Sequence, residues 1–337
     1  MPRKARIDAP GAVHHIIVRG IERKPIFRDS ADYEGFLDRL DRLIVETSAR
    51  CYAWALMSNH AHLLLKTGTI PLSTVMRRLL TWYAQRFNRR YHRCGHLFQN
   101  RYHSILCEEE PYLLELVRYI HLNPIRAGIL SDINELNSYA LTGHATVMGN
   151  THRDWQDVDG VLCMFGEQVE TARSAYLRFV TSGISQGRRD DLVGGGLVRS
   201  LGGWAALKHS RQDGARMMSD ERILGSGEFV DSVLSQADEA YEKRTLARAK
   251  GLDLEKLVQI VADHLGTDVD SVKSAVKARR ASRARGIVCF LARDRLGMKG
   301  TEIARTMHLT PSGVSKLSDK GRKDPLSEQM DRLLYEN

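Results

Sequence analysis

The chain runs to 337 residues, of which 42% are hydrophobic and 27% charged, a balance that excludes a disordered or fibrous polypeptide and leaves room for two or three domains with their own cores. A net charge of +9 sets nucleic acid among the expected partners. No apolar run approaches the ~18 residues of a membrane span and no signal-peptide core follows Met1-Pro2-Arg3-Lys4. The cysteines (Cys51, Cys94, Cys107, Cys163, Cys289) never form a CxxC pair, so a cytoplasmic protein without membrane contact or a zinc ribbon is expected.

The charge is unevenly spread. Residues 1–130 hold 20 basic and 12 acidic residues (+8), 131–239 hold 10 and 16 (−6), 240–323 hold 19 and 9 (+10), and 324–337 hold 1 and 4 (−3). Two basic ends flank an acidic middle. The expected organisation is a first domain over 1–130, a helical extension with a Gly-rich linker over 131–240, and an all-α C-terminal domain over 241–337.

In chain order, hydrophobic patterning predicts strand 12–19, helix 30–48, strands 51–57 and 60–66, helix 72–92, strand 97–107 and helix 111–122. The order βαββαβ implies an α+β fold, a ferredoxin-like sandwich with a central antiparallel sheet. Ser58-Asn59 makes the turn between the two middle strands. Directly after it stand His60-Ala61-His62, and on a strand alternate side chains share a face, so both imidazoles point the same way, about 7 Å apart at ~3.3 Å per residue. Such a pair can chelate one divalent ion; it can equally be two partly exposed strand histidines.

The helix 72–92 carries Arg77, Arg78, Arg86, Arg89 and Arg90, interleaved with Trp82, Tyr83 and Phe87. The arginines suit a nucleic-acid backbone, and the aromatics read as core rather than stacking platforms. In the helix 111–122, Pro111 fits the first turn, Glu108, Glu109 and Glu110 complement the helix dipole, and Leu113, Leu116, Val117 and Ile120 form a buried stripe. Tyr119 and Asn123 are four residues apart and share a face if the helix persists past Pro124, which disfavours helix at the residue before it.

Further on, helices are predicted over 156–165 and 167–182, followed by a joint at Gly194-Gly195-Gly196 and Gly202-Gly203; no Lys-Ser/Thr follows the glycines, so this is no P-loop. From Ser282 three short helices are expected. Thr310 caps the last of them and Pro311 opens it, a helix-turn-helix pattern in which Ser312, Ser315, Lys316, Arg322 and Lys323 would meet duplex DNA.

The segments His14-His15-Ile16-Ile17-Val18-Arg19-Gly20, His60-Ala61-His62, Gly95-His96-Leu97-Phe98-Gln99-Asn100-Arg101-Tyr102 and Tyr119-Ile120-His121-Leu122-Asn123-Pro124-Ile125-Arg126-Ala127-Gly128 resemble, in that order, the HUH single-tyrosine transposases, and among them the REP-associated tyrosine transposases. The resemblance is strong over residues 10–130 and thinner to Val230. It implies Tyr119 as nucleophile, His60, His62 and Asn123 as ligands of Mg²⁺ or Mn²⁺, and a 5′-phosphotyrosine formed on single-stranded DNA beside a hairpin. It also implies a monomer rather than a dimer. Residues 250–323, with Arg285-Gly286-Ile287-Val288-Cys289-Phe290-Leu291-Ala292-Arg293 and Gly300-Thr301-Glu302-Ile303-Ala304, resemble the DNA-binding domain of the replication initiator DnaA. They depart from it at Thr310-Pro311-Ser312-Gly313-Val314, so duplex binding carries over and the target sequence does not. The alternatives are a domesticated, non-cutting DNA-binding regulator and a replication-initiator or relaxase-type nuclease.

Overall fold

Strand β1 (Val13–Arg19) is the centre of the first unit of the chain, residues 1–233, in the computed structural model, which describes residues 7, 11–68, 70–187, 189, 192, 220, 222–236, 252–274 and 278–336. After it come α1 (Ser30–Thr47), β2 (Arg50–Met57), β3 (His60–Lys66), α2 (Leu72–Arg90), β4 (His103–Cys107) and α3 (Glu109–His121). β1 pairs antiparallel with β3 on one side and β4 on the other, and β2 pairs antiparallel with β3. A two-residue strand, β5 (Ile223–Leu224), adds in parallel to β4, giving the order β2-β3-β1-β4-β5.

Both faces of this sheet are covered, which is why β2 is buried from Cys51 to Met57 and reads as an almost continuous apolar run. One face carries Ile16, Val18, Trp54, Leu56, Ala61 and Leu63 against Phe36, Leu40, Leu79 and Tyr83 of α1 and α2. The opposite face carries Val13, Ala53, Ala55, Met57 and Leu64 against Leu116, Val117 and Ile120 of α3. Asp29 caps α1 by accepting from the Asp32 N–H at 3.1 Å, and the helix ends where Ser48 turns left-handed at φ 52°. The aromatic reading of α2 is resolved by burial. Tyr83 and Phe87 are each 1% exposed, the Tyr83 hydroxyl donates to Ile26 O at 2.6 Å, and Trp82 packs at the rim.

The strand expected over 97–107 begins only at His103. Gly95 is left-handed at φ 87°, and from there to Tyr102 the chain runs irregularly, touching the sheet through a single bridge from Phe98 to Gly20. Gly20 closes that corner, since a Cβ there would lie 2.0 Å from the Lys24 carbonyl oxygen. Together with α2, residues 95–102 wall a groove of about 870 Å³ that includes Arg77, Gln85, Asn88 and Arg101.

The middle of the chain covers the sheet's edges. The Leu56 N–H donates to Leu141 O at 3.0 Å and the Asp157 N–H to Cys51 O at 2.9 Å, closing the open side of β2. On the far side, the N–H groups of Leu106 and Glu108 donate to Arg222 O and Leu224 O, each at 2.8 Å. The helices expected over 156–165 and 167–182 are present as α7 (Val158–Leu162) and α8 (Val169–Ser182), preceded by α4 (Asn123–Arg126), α5 (Ile133–Ser138) and α6 (Gly143–Val147). The glycine-rich joint lies outside the described residues.

Residues 234–337 form a second compact unit. Its helices are α9 (Leu254–Leu265), α10 (Val269–Lys273), α11 (Arg279–Phe290, continued by a π-helical stretch Leu291–Arg295), α12 (Gly300–Thr306), α13 (Pro311–Arg322) and α14 (Leu326–Glu336). Leu257, Val261, Ile287, Leu291, Ile303 and Val314 share its core. Two glycines let α11 and α13 touch backbone to backbone, because a Cβ on Gly321 would fall 2.0 Å from Gly286 O. Thr310 caps α13, accepting from the Gly313 N–H at 3.0 Å, with Pro311 in its first turn. Among the described residues no helix is long and apolar enough to cross a membrane.

Candidate active site

Period-two alternation puts His60 and His62 on the α3 face of the sheet, in line with Met57 and Ala55 of β2, which stand opposite them in register. Their ring centroids are 5.2 Å apart. The turn before β3 fixes the first ring. Asn59 Nδ2 donates to Arg23 O at 3.1 Å, which leaves its Oδ1 to accept from His60 Nδ1–H at 2.6 Å. His60 is therefore protonated on Nδ1 and keeps its lone pair on Nε2. His62 is deeper, 4% exposed, with Nδ1 at 3.0 Å from Nε2 of the fully buried His15.

Helix α3 delivers the tyrosine. Its stripe Leu113, Leu116, Val117 and Ile120 packs on the sheet, and Tyr119, at the edge of that stripe and half-buried, brings its ring to 6.2 Å from His62 and 5.9 Å from His15. The Arg126 guanidinium lies over the tyrosine ring at 5.1 Å, and its Nη1 donates to the Tyr119 carbonyl at 3.1 Å. Asn123 does not continue α3. The helix ends at His121, Leu122 intervenes, and Asn123 opens the short α4 with Pro124 in its first turn. The Asn123 Nδ2 is buried and has no hydrogen-bond partner among the described residues. A half-turn of the amide would put an acceptor oxygen at the same place.

Burial holds His60 down to about 4, with the Arg19 charge adding to the effect, and holds His62 well below the ordinary imidazole range, helped by His15, His60 and Arg19. Both are neutral at pH 7, the form that binds a metal. Two neutral imidazoles on one face and a carboxamide with an unmatched buried end fit a divalent cation that needs nitrogen and oxygen donors and open positions. No group of three His, Cys, Asp or Glu side chains arranged to hold a metal occurs among the described residues, so a third donor would be an amide, a hydroxyl, a backbone carbonyl or a group from outside the chain.

Two residues after the tyrosine, His121 belongs to a second buried polar cluster, to which the sequence pattern assigned no role. His144 Nε2 lies 2.8 Å from Asn137 Oδ1, and the Tyr176 hydroxyl stands 2.9 Å from His144 Nδ1 and 2.7 Å from His121 Nδ1. It ties the end of α3 to α6 and α8. Arg118 adds to the tie, stacking over Phe179 at 4.2 Å and bonding Glu115, Ser182 and Gln186.

These buried imidazoles make stability depend on pH. Burial holds His144 down to about 4 and His121 well below its ordinary value near 6.5. Between those limits the unfolded chain binds more protons than the folded one, so stability is complete above about pH 6.5 and is lost as pH falls toward 4. For His144 alone the loss at pH 5 is about 2 kcal/mol. The melting midpoint of the first unit is expected to fall by at least ~4 °C between pH 7 and pH 5, followed by circular dichroism. A midpoint constant across that interval would contradict the neutral, buried state of these rings.

The arginines expected to contact DNA divide into committed and available groups. Arg90 is held by Asp29 and Asp32 at 2.7 and 2.8 Å, Arg78 is paired with Glu46, and Arg86 lies over Trp82 at 5.7 Å. Arg77 and Arg89 are exposed and have no partner among the described residues; Arg77 faces the groove beside residues 95–102. In the second unit Arg322 is engaged by Asp294 and stacks over Phe290 at 5.6 Å, and Ser315 accepts from Arg293 at 3.3 Å. Ser312, Lys316 and Lys323 are exposed on α13 or at its end.

Known proteins share part of this chain. Residues 10–123 match the family model Transposase IS200 like. The matched stretch is about a third of the chain and contains His15, His60, His62 and Tyr119, ending at Asn123. A solved structure described as that of a REP-associated tyrosine transposase bound to a REP hairpin is similar at 13% identity with a TM-score of 0.37, covering 47% of this chain and 98% of that one. None of the curated proteins matches the sequence.

Proposed function

We propose that the first unit is a metal-dependent endonuclease and strand transferase for single-stranded DNA, with Tyr119 as nucleophile and His60, His62 and Asn123 as ligands of Mg²⁺ or Mn²⁺. The observation that carries this reading is the approach of the Tyr119 ring to within 6.2 Å of His62, across 57 residues of chain, on the face that also holds His60. The antiparallel order β2-β3-β1-β4 supports the ferredoxin-like reading, and the match of residues 10–123 to IS200-like transposases supports the reaction class. The phenol oxygen attacks a phosphorus atom of the strand, the P–O3′ bond breaks, and the products are a 5′-phosphotyrosine and a free 3′ hydroxyl, so the bond energy is kept for rejoining. A divalent ion, when bound, neutralises charge on the scissile phosphate. His60 and His62 present neutral nitrogens to it, and Arg126 steadies the tyrosine from behind the ring.

The substrate proposed is a strand next to a hairpin-forming repeat, with Arg77 and Arg89 tracking phosphates. Incubation with end-labelled single strands that carry a hairpin, with and without Mg²⁺ or Mn²⁺, tests the reading. The expected result is metal-dependent cutting with a denaturation-resistant protein–DNA adduct, and cutting that resists a chelator would overturn it.

The second unit is proposed to read duplex DNA through α13, with Ser312, Lys316 and Lys323 at the interface. Deleting residues 234–337 should leave cutting of an unstructured strand intact while weakening binding to duplex-containing targets. It should also lower the salt dependence, because the segment 240–323 carries +10. Titrating both forms against a hairpin and a scrambled duplex at two salt concentrations measures this. Equal affinities and equal salt slopes would make the unit a protein-interaction module.

A further inference from the structure

We infer that His15 is a positioning residue that fixes the ring and tautomer of His62. The inference rests on the reading of His60 and His62 as metal ligands and adds a residue to that site. His15 lies on the central strand, 0% exposed, with its ring against those of His62 and Tyr119, where burying an imidazole is costly and a hydrogen bond from Nε2 offsets part of that cost. In the antiparallel register of β1 and β3, Ile17 stands opposite His62 and His15 opposite Leu64. His15 is thus on the same face as His62, one diagonal step away, a distance at which two rings meet.

The chemistry follows from one contact. His15 Nε2 and His62 Nδ1 are 3.0 Å apart and share one proton. With Nδ1 occupied by His15, Nε2 is the nitrogen of His62 left to face a cation. Nε2 keeps its lone pair only if the shared proton belongs to His62, so His62 Nδ1–H donates and His15 Nε2 accepts. His60 is set the same way by a different partner, its Nδ1–H donating to Asn59 Oδ1 at 2.6 Å. Each of the two proposed ligands thus has a neighbour on its Nδ1 side, Asn59 for His60 and His15 for His62, which leaves both Nε2 atoms for a cation. His15 also stacks on His62, with centroids 5.3 Å apart, and meets the Tyr119 ring edge-on at 5.9 Å, so it holds the spacing between ligand and nucleophile.

Nitrogen-15 correlation spectra of the metal-free full chain, with the His62 signals identified by their loss in His62→Ala, read the tautomer without any reaction. The expected spectrum has His62 protonated on Nδ1. His15→Phe keeps a ring but removes the acceptor; it should let His62 populate the Nε2–H tautomer and weaken Mn²⁺ binding by about 10- to 100-fold. His15→Gln supplies an amide oxygen and should restore both. A wild-type His62 protonated on Nε2, or a folded His15→Phe protein with tautomer and Mn²⁺ affinity unchanged, overturns the inference. The wild-type spectrum decides even if His15→Phe fails to fold. Failure of the underlying metal reading looks different, since His62→Ala would then leave Mn²⁺ binding unaltered.

Discussion

Tyr119→Phe is expected to abolish strand cleavage, lowering it by at least about 10³-fold, together with the covalent adduct, while DNA affinity changes less than about twofold. The substitution removes one oxygen. The ring that meets His62 and His15 and lies under Arg126 remains, so the helix end and the neighbouring rings keep their packing. A denaturing gel with labelled single strand separates adduct from free product, and a filter-binding titration on the same variant gives the affinity. An adduct that persists would transfer the nucleophile to another tyrosine. Tyr102, 7% exposed on the edge of the groove, and the half-buried Tyr112 on α3 would be the next to test.

His60→Ala and His62→Ala are each expected to weaken Mn²⁺ binding by about 10²-fold or more and to abolish cleavage at ordinary metal concentrations, because one imidazole and one amide hold a divalent ion poorly. The two variants should differ in stability. His62 is buried and its loss leaves a void beside His15, whereas His60 is half-buried at a turn, so only His62→Ala should also lower the melting midpoint. Asn123→Ala should be milder in metal affinity, since water can replace an amide oxygen. Paramagnetic titration of Mn²⁺ gives the affinities directly. Unchanged Mn²⁺ binding in both histidine variants would remove the metal from this site.

What could be read beforehand follows from which features are local. Period-two alternation needs only a strand, so the shared face of His60 and His62 was legible from two residues and their flanks. The stripe of α3 was legible for the same reason, and with it the side from which Tyr119 approaches. The pairing of His15 with His62 was hidden, because it depends on the register of β1 against β3 and not on either segment alone. The packing of helices likewise governs which arginines are free. Arg90 and Arg322 look like any surface cation in sequence, and only the approach of Asp29, Asp32 and Asp294 commits them. The break between α3 and α4 was foreshadowed by Pro124. The irregular path of residues 95–102 was not, because Leu97, Phe98 and Tyr102 supply apolar positions that suit a strand equally well. The two-residue β5 is too short for any periodicity to reveal.

That last strand bears on how the protein is made and how it can be trimmed. A ribosome that has released only the first 130 residues has exposed a sheet with unpaired rims on both sides, one waiting for Leu141 and Asp157, the other for Arg222 and Leu224. During synthesis the nascent sheet is thus a template for association until almost a hundred further residues have emerged, and the acidic stretch that closes it also lowers its positive charge at that moment. A fragment ending just after Asn123 would contain Tyr119 and all three proposed metal ligands and still be prone to stick to its own copies. The shortest version that should behave as a monodisperse protein ends near Val233.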